Sequence, residues 1–98
     1  MATSKEFKNF ILEQLADLSP ITCKPMMGEY LLYYKGTLVG GLYDDRLLVK
    51  PNANNIDFDM PLEIPYNGAK QMYMVEDVDD SEKLCNIIKS TYEGLIKK

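Results

Sequence analysis

The chain has 98 residues, of which 46% are hydrophobic and 27% are charged, and its net charge is −4. These values fit a single globular domain with one modest core. The acidic balance argues against direct binding of nucleic acid, because such binding needs basic side chains to displace counterions from phosphates. No apolar run approaches the roughly 20 residues that span a bilayer, so no membrane segment is predicted. Histidine is absent, which removes the commonest general base and metal ligand.

The N-terminal segment predicts an amphipathic helix. Apolar side chains recur at helical spacing between Phe7 and Leu18, which places the helix at about residues 4–17. Thr3 followed by Glu6 has the form of a capping box in which Thr3 is the N-cap residue. A Ser-Pro pair then ends the helix, since proline cannot continue the hydrogen-bond ladder.

The middle of the chain predicts β-structure. Residues 21–26 form a short strand whose proline suits a sheet edge. A three-strand meander follows over residues 30–50, with Lys35-Gly36 and Asp44-Asp45 as its hairpin loops. Loops of this length fix which residues pair across the strands, and paired residues share a face of the sheet.

This pairing sorts the meander into a core face, covered by helices, and an opposite face. The core face is predicted to hold Leu31, Tyr33, Leu38, Gly40, Leu42, Leu47 and Val49. The opposite face is predicted to hold Tyr30, Leu32, Tyr34, Thr37, Val39, Gly41, Tyr43, Arg46, Leu48 and Lys50. Gly40 is expected to let a helix approach the sheet closely. A register slip of one residue would exchange the two faces.

The last part of the chain predicts an irregular segment, a strand and a helix. Residues 51–65 are rich in asparagine and proline, with either an extended piece or a helical turn near residues 56–60. Residues 66–69 should form a turn, and residues 71–76 the last strand. A second helix then begins, with Asp79 or Asp80 as its N-cap.

The predicted fold is an α+β domain over residues 1–98. It has two layers: an antiparallel meander sheet of about five strands, and N- and C-terminal helices packed on one face of that sheet.

Acidic residues cluster where the second helix begins: Glu76, Asp77, Asp79, Asp80 and Glu82. A cation site is one interpretation, because oxygen ligands suit magnesium and calcium. The glycine and glutamate of an EF-hand loop are missing, however, and acids at a helix start need no metal to explain them. No metal site is therefore predicted.

Other reactive groups also have structural explanations. A nucleophilic Cys23 would need an activating base, and Lys24 is the nearest candidate. Asp44-Asp45 with Arg46 could serve acid–base chemistry, but a polar hairpin tip with Arg46 stacked on Tyr43 accounts for them. No catalytic residue, no cofactor and no enzymatic activity are predicted.

The tyrosine-rich opposite face is the strongest functional lead, since tyrosine and arginine are enriched in protein interfaces. Residues 26–29, before the first strand of the meander, form a corner beside this face. Together the face and the corner give a predicted interaction surface of Met26, Met27, Glu29, Tyr30, Leu32, Tyr34, Val39, Tyr43, Arg46 and Leu48. We expect a non-enzymatic module that binds a protein partner or forms a homodimer. Two alternatives stay open. Residues 51–65 could fold over this face, or a pocket between them and the sheet could bind a small molecule and support weak catalysis.

A series of short motifs runs through the chain in this order: Pro25-Met26-Met27-Gly28-Glu29-Tyr30, Gly36, Gly40-Gly41, Asp44-Asp45-Arg46, Leu48-Val49-Lys50-Pro51 and Pro65-Tyr66-Asn67-Gly68-Ala69-Lys70. Together they resemble the N-terminal domain of the TfoX (Sxy) family. The resemblance departs at one place, where the family pattern Met-Phe-Gly-Gly is here Met26-Met27-Gly28-Glu29.

The resemblance implies a bacterial cytoplasmic α+β domain. The family is named for regulators of natural competence that act with the cyclic-AMP receptor protein on gene expression. Full-length regulators carry a second, helical domain after this one. The present sequence has no counterpart to it, so we expect a short, single-domain member. The resemblance supplies no catalytic residues.

Overall fold

Two helices pack against one face of an antiparallel six-stranded sheet in the computed structural model, which describes residues 3–96. In chain order the elements are α1 (Lys5–Gln14), β1 (Ile21–Met26), β2 (Glu29–Tyr34), β3 (Thr37–Leu42), β4 (Leu47–Val49), a 3₁₀ turn (Ile56–Phe58), β5 (Leu62–Glu63), β6 (Met72–Val75) and α2 (Ser81–Ile96). The strands lie in the order β1-β2-β3-β4-β6-β5. The α+β architecture is confirmed, and the short β5 adds a strand at one edge. Within residues 3–96, no helix has the length and apolar composition needed to cross a bilayer.

Helix α1 begins one residue later than the predicted capping box requires. Its N-cap is Ser4, whose Oγ atom accepts a hydrogen bond from the Phe7 nitrogen at 3.1 Å. Thr3 is buried, and its hydroxyl donates instead to Glu29 Oε1 at 2.7 Å. The predicted role of Thr3 is therefore wrong, because a charged partner on β2 takes the hydroxyl that would have capped the helix.

In each of the first three hairpins, the two loop residues have positive φ. The pairs are Met27 and Gly28 (49° and 87°), Lys35 and Gly36 (51° and 80°), and Asp44 and Asp45 (54° and 56°). Positive φ at both positions is the type I′ geometry, whose twist matches that of the flanking strands. The Lys35-Gly36 and Asp44-Asp45 hairpin loops are thus confirmed.

A β-bulge in β3 changes the sorting of side chains. The two pairs nearest the Lys35-Gly36 turn form as predicted, but Leu32 pairs with Gly40 rather than Val39. The bulge places one extra residue on β3, so β2 and the rest of β3 are out of the predicted register by one. This slip exchanges the two faces of β2 relative to the end of β3.

The core consequently combines side chains that were predicted to lie on different faces. The strands contribute Ile21, Cys23, Tyr30, Leu32, Tyr34, Val39, Leu42, Leu47, Val49, Tyr73 and Val75. The helices contribute Ile11, Leu15, Leu84, Cys85, Ile87 and Ile88, among others. The predicted positions of Leu42, Leu47 and Val49 are confirmed.

Gly40 has a different role from the one predicted. A Cβ atom on Gly40 would clash with the Leu48 carbonyl oxygen and lie 2.8 Å from the Val49 Cα atom. The glycine therefore admits the backbone of β4, whereas the prediction had it admitting a helix.

The segment after β4 is fastened to α2. Asn55 is fully buried, and its Nδ2 atom donates to the Lys50 carbonyl at 2.8 Å and to Thr91 Oγ1 at 2.9 Å. Asn52 Nδ2 donates to the Thr91 carbonyl at 3.0 Å. A helical turn at Ile56–Phe58, rather than an extended piece, completes this part of the segment.

The predicted turn and helix start near the C-terminus are both found. The Ala69 nitrogen donates to the Tyr66 carbonyl at 3.1 Å, closing the turn. Asp80 Oδ1 accepts from the Lys83 nitrogen at 3.1 Å, which identifies Asp80 as the N-cap of α2. Asp77 forms an ion pair with Lys83 at 2.6 Å. Asp77 and Asp80 therefore both have structural partners.

Candidate functional site

The sheet face opposite the helices is the candidate functional site, and we call it the open face. Leu31, Gly41, Leu48 and Met74 follow one another across β2, β3, β4 and β6 by direct pairing, so they share this face. Alternation along the strands and the remaining pairs add the other members: Thr22, Lys24, Met26, Glu29, Tyr33, Leu38, Tyr43, Glu63 and Met72.

Much of the open face is apolar and incompletely covered. The half-buried members include Leu31, Tyr33, Leu38, Met72 and Met74. The charged members of this face are Lys24, Glu29 and Glu63. The Lys24 Nζ atom lies 5.1 Å from the centroid of the Tyr33 ring. A cation at this distance is attracted to the ring face. The surface thus offers aromatic, aliphatic and thioether contacts.

Tyr43 covers part of this face. A Cβ atom on Gly41 would lie 2.7 Å from Cε2 of Tyr43, so the ring lies over the glycine. The Tyr66 ring is 6.0 Å away between centroids and is tilted by 50°. Burial, with further contributions from Tyr66 and Glu29, raises the pKa of the Tyr43 hydroxyl above its ordinary value. Tyr43 thus lies on the face opposite to Leu42, as predicted. It is only 6% exposed, however, so little of its side chain is available to a partner.

Arg46 fastens the chain after β5 to the β3–β4 hairpin. Its Nε atom donates to the Tyr43 carbonyl at 3.2 Å. Its Nη2 atom donates to the carbonyls of Ile64 and Pro65 at 3.3 and 3.4 Å, and Nη1 lies 3.8 Å from Glu63 Oε1. The predicted stacking on the Tyr43 ring is replaced by these contacts, so Arg46 has a structural role.

In the predicted corner, residues 26–29, Glu29 is held by hydrogen bonds and Met27 is exposed. Glu29 Oε1 accepts hydrogen bonds from the Thr3 nitrogen at 3.0 Å, the Thr3 hydroxyl at 2.7 Å and the Asp44 nitrogen at 3.1 Å. It therefore joins the N-terminal segment to two hairpin turns. Met27 is 98% exposed at the tip of its turn, and Met26 is half-buried.

Four residues of the predicted interaction surface lie on the helix-covered face instead. Leu32 and Val39 are fully buried, and Tyr30 packs against the same core. The Tyr34 ring is edge-on to Tyr92, with centroids 5.0 Å apart. Their predicted position was wrong because the bulge, which lies at Val39, exchanges the two faces of β2 relative to the end of β3. Leu48 is on the open face as predicted, but it is fully buried by its neighbours.

Most of the half-buried members of the open face were missed by the sequence reasoning. Leu31, Tyr33 and Leu38 were predicted to be in the core. Core packing was also favoured for Met72 and Met74, with an adaptable binding surface as the alternative. The one local signal that could have corrected this is Gly40-Gly41, because glycine inside a strand often marks a bulge.

A cleft of about 470 Å³ adjoins the open face. Leu38, Tyr43 and Met72 line it from the sheet, and residues 65–66 and 69–71 line it from the loop before β6. The alternative prediction placed a pocket between residues 51–65 and the sheet. That segment contributes only its two terminal prolines to the lining, while Asn52 and Asn55 pack on α2.

Comparisons with known proteins identify the family of the chain. The family model described as the TfoX N-terminal domain matches residues 13–95. A relative from Spirochaeta aurantia, described as an uncharacterized 12.7 kDa protein in the trpE 5′ region, is 32% identical over 98 residues. That alignment covers 97% of this chain and 85% of the relative. The chain belongs to the TfoX N-terminal domain family.

Proposed function

We propose that the chain is a non-enzymatic interaction module of the bacterial cytoplasm, and that its open face binds a second copy of itself. The observation that carries this proposal is the half-buried apolar surface of Leu31, Tyr33, Leu38 and Met74, on the side of the sheet away from α1 and α2. Contiguous apolar surface of this kind is typical of protein–protein contacts.

The distribution of charge favours a second copy as the partner. The chain carries a net charge of −4, so two copies repel one another over most of their surfaces. The charged side chains of the open face have partners within their own copy: Lys24 lies against the Tyr33 ring, Glu29 accepts hydrogen bonds from Thr3 and Asp44, and Glu63 lies 3.8 Å from Arg46. A two-fold contact through this face therefore juxtaposes few like charges, and a symmetric dimer is the commonest form of self-association.

Sedimentation equilibrium tests the proposal. The wild-type chain is expected to approach twice its mass of 11.2 kDa with rising concentration. Leu38→Glu should return it to the monomer, since each copy would lose an apolar contact and would bury a carboxylate in the dimer contact. Asn86→Glu, at an exposed position on α2, is the matched control and should leave the dimer intact. A wild-type monomer at high concentration, or a folded Leu38→Glu variant that still dimerises, would contradict the proposal.

A second candidate function is the binding of a small molecule in the cleft. Its volume of about 470 Å³ supports this role, since ligand sites occupy roughly 300–1,000 Å³. A thermal-shift screen against metabolites tests it. Stabilisation by a metabolite, abolished by filling the cleft with Ala69→Trp, is expected, and the absence of any stabilising compound would argue against this role.

A further inference from the structure

We propose that the cleft beside the open face binds a small aromatic anion of the aromatic carboxylate class. This inference deepens the second candidate function and rests on it. The argument combines the charged groups at the cleft with the shape and chemistry of its apolar wall.

The charged side chains that line the cleft are both cations. Lys50 and Lys70 lie among its lining residues, and no acidic side chain of residues 3–96 does. Neither lysine forms an ion pair with a carboxylate of that part of the chain. Two cations without acidic partners create a locally positive site on an acidic molecule, and such a site concentrates anions.

The remaining lining favours a flat ring beside that charge. Tyr66 is 57% exposed, so part of its surface is open to a ligand. Met72 also lines the cleft, and a thioether makes favourable contacts with aromatic rings. Pro65 and Leu38 extend the apolar wall. An aliphatic anion would meet the lysines but use little of this wall.

The number of cations also limits the ligand's charge. Phosphate-rich ligands are usually held by several donors, including backbone N–H groups or arginine forks. Two lysines and one glutamine line the cleft, and no arginine of residues 3–96 does. A single carboxylate attached to an aromatic ring matches this inventory better than a nucleotide.

The test is a ¹⁵N NMR titration with matched probes: 1-naphthoate, the neutral 1-naphthalenemethanol and the cationic 1-naphthylmethylammonium. Naphthoate should shift the amide signals of Lys50, Tyr66 and Lys70 saturably. It should bind about fivefold more tightly than the alcohol, given the modest energy of exposed ion pairs, and the ammonium probe should bind most weakly. Leu38 and Met72 belong to both the cleft and the open face, so self-association through the open face would also affect the cleft. All titrations therefore use the same protein concentration.

Variants separate the cleft lysines from general surface charge. Lys50→Gln with Lys70→Gln should lower the affinity for naphthoate to that of the alcohol. Lys5→Gln with Lys89→Gln, at exposed helix positions, is the control and should change it little.

The outcomes distinguish the ligand class from the binding role. If none of the three probes shifts the cleft signals, the site and the second candidate function both fail. If the alcohol binds as tightly as naphthoate, or the Lys50 and Lys70 variant binds naphthoate normally, the anion assignment fails while a small-molecule site stands.

Discussion

The side chain of Asn52 occupies the space in which a Cβ atom on Gly94 would lie. From this position Asn52 donates to the Thr91 carbonyl at 3.0 Å, and its Oδ1 atom accepts from the Asn54 nitrogen at 2.8 Å. The glycine thus lets the turn after β4 pack directly on α2. This contact helps to position residues 51–65, whose terminal prolines line the cleft.

Gly94→Ala should destabilise the protein. At an exposed helix position alanine is more favourable than glycine by about 1 kcal/mol. Here the new methyl group would displace Asn52 and break its hydrogen bonds, so we expect the free energy of unfolding to fall by about 1–3 kcal/mol in urea denaturation. With Asn52→Ala already present, the same change should be neutral or stabilising. A stabilising effect in the wild-type background would show that Asn52 does not need this space.

Glu29→Ala should also lower stability. Its Oε1 atom accepts three hydrogen bonds from Thr3 and Asp44, and bonds to a charged group contribute about 1.5–3 kcal/mol. Partial exposure reduces this contribution, so thermal or urea unfolding should reveal a loss of about 1–3 kcal/mol. Glu76→Ala, at an exposed position, is the control and should change stability by about 0.5 kcal/mol or less. Equal losses in the two variants would count against the role of Glu29.

Alanine substitutions of two adjacent leucines test the register of β2. Leu32 is fully buried under the helices, whereas Leu31 is half-buried on the open face. Leu32→Ala should cost about 2–5 kcal/mol of unfolding free energy, as is usual for a core leucine. Leu31→Ala should cost clearly less. A larger loss from Leu31→Ala than from Leu32→Ala would instead support the register predicted from the hairpin loops alone.

The sequence was sufficient for both helices and five of the six strands, because the signals for them are local; the two-residue β5 was not predicted. The Lys35-Gly36 and Asp44-Asp45 loops adopt the predicted hairpin geometry, and Asp80 caps α2. The capping box failed at Thr3 because Glu29, 26 residues further along, competes for its hydroxyl. Local rules do not include such a distant partner.

The candidate surface was predicted less well because it depended on one register. The general idea of an uncovered, aromatic sheet face opposite Leu42 survives, with Tyr33 in place of Tyr30 and Tyr34. A single bulged residue in β3 was enough to exchange the faces of β2, since side chains alternate with a period of two. Loop lengths do not reveal a bulge inside a strand.

Alkaline pH should destabilise the fold partly through Tyr43. Burial first, and then Tyr66 and Glu29, raise the pKa of Tyr43 above 10.0 in the folded protein. Below the ordinary value both states keep the proton, and stability does not depend on pH through this group. As pH rises above it, the unfolded chain loses the proton first, so the free energy of unfolding falls.

Urea denaturation midpoints measured from about pH 9 to about pH 11.5 check this dependence. Tyr43→Phe cannot ionise, so it should lose less stability over that interval than the wild-type chain. Parallel curves for the wild type and Tyr43→Phe would contradict the prediction.

The most direct test of self-association through the open face is a dilution series of ¹⁵N-labelled protein followed by NMR. Our account predicts that the amide signals of Leu31, Tyr33, Leu38 and Met74 move with concentration and reach a plateau, while those of Asn86 and Lys89 on α2 stay fixed. Spectra that do not change with concentration, or changes confined to α2, would contradict it.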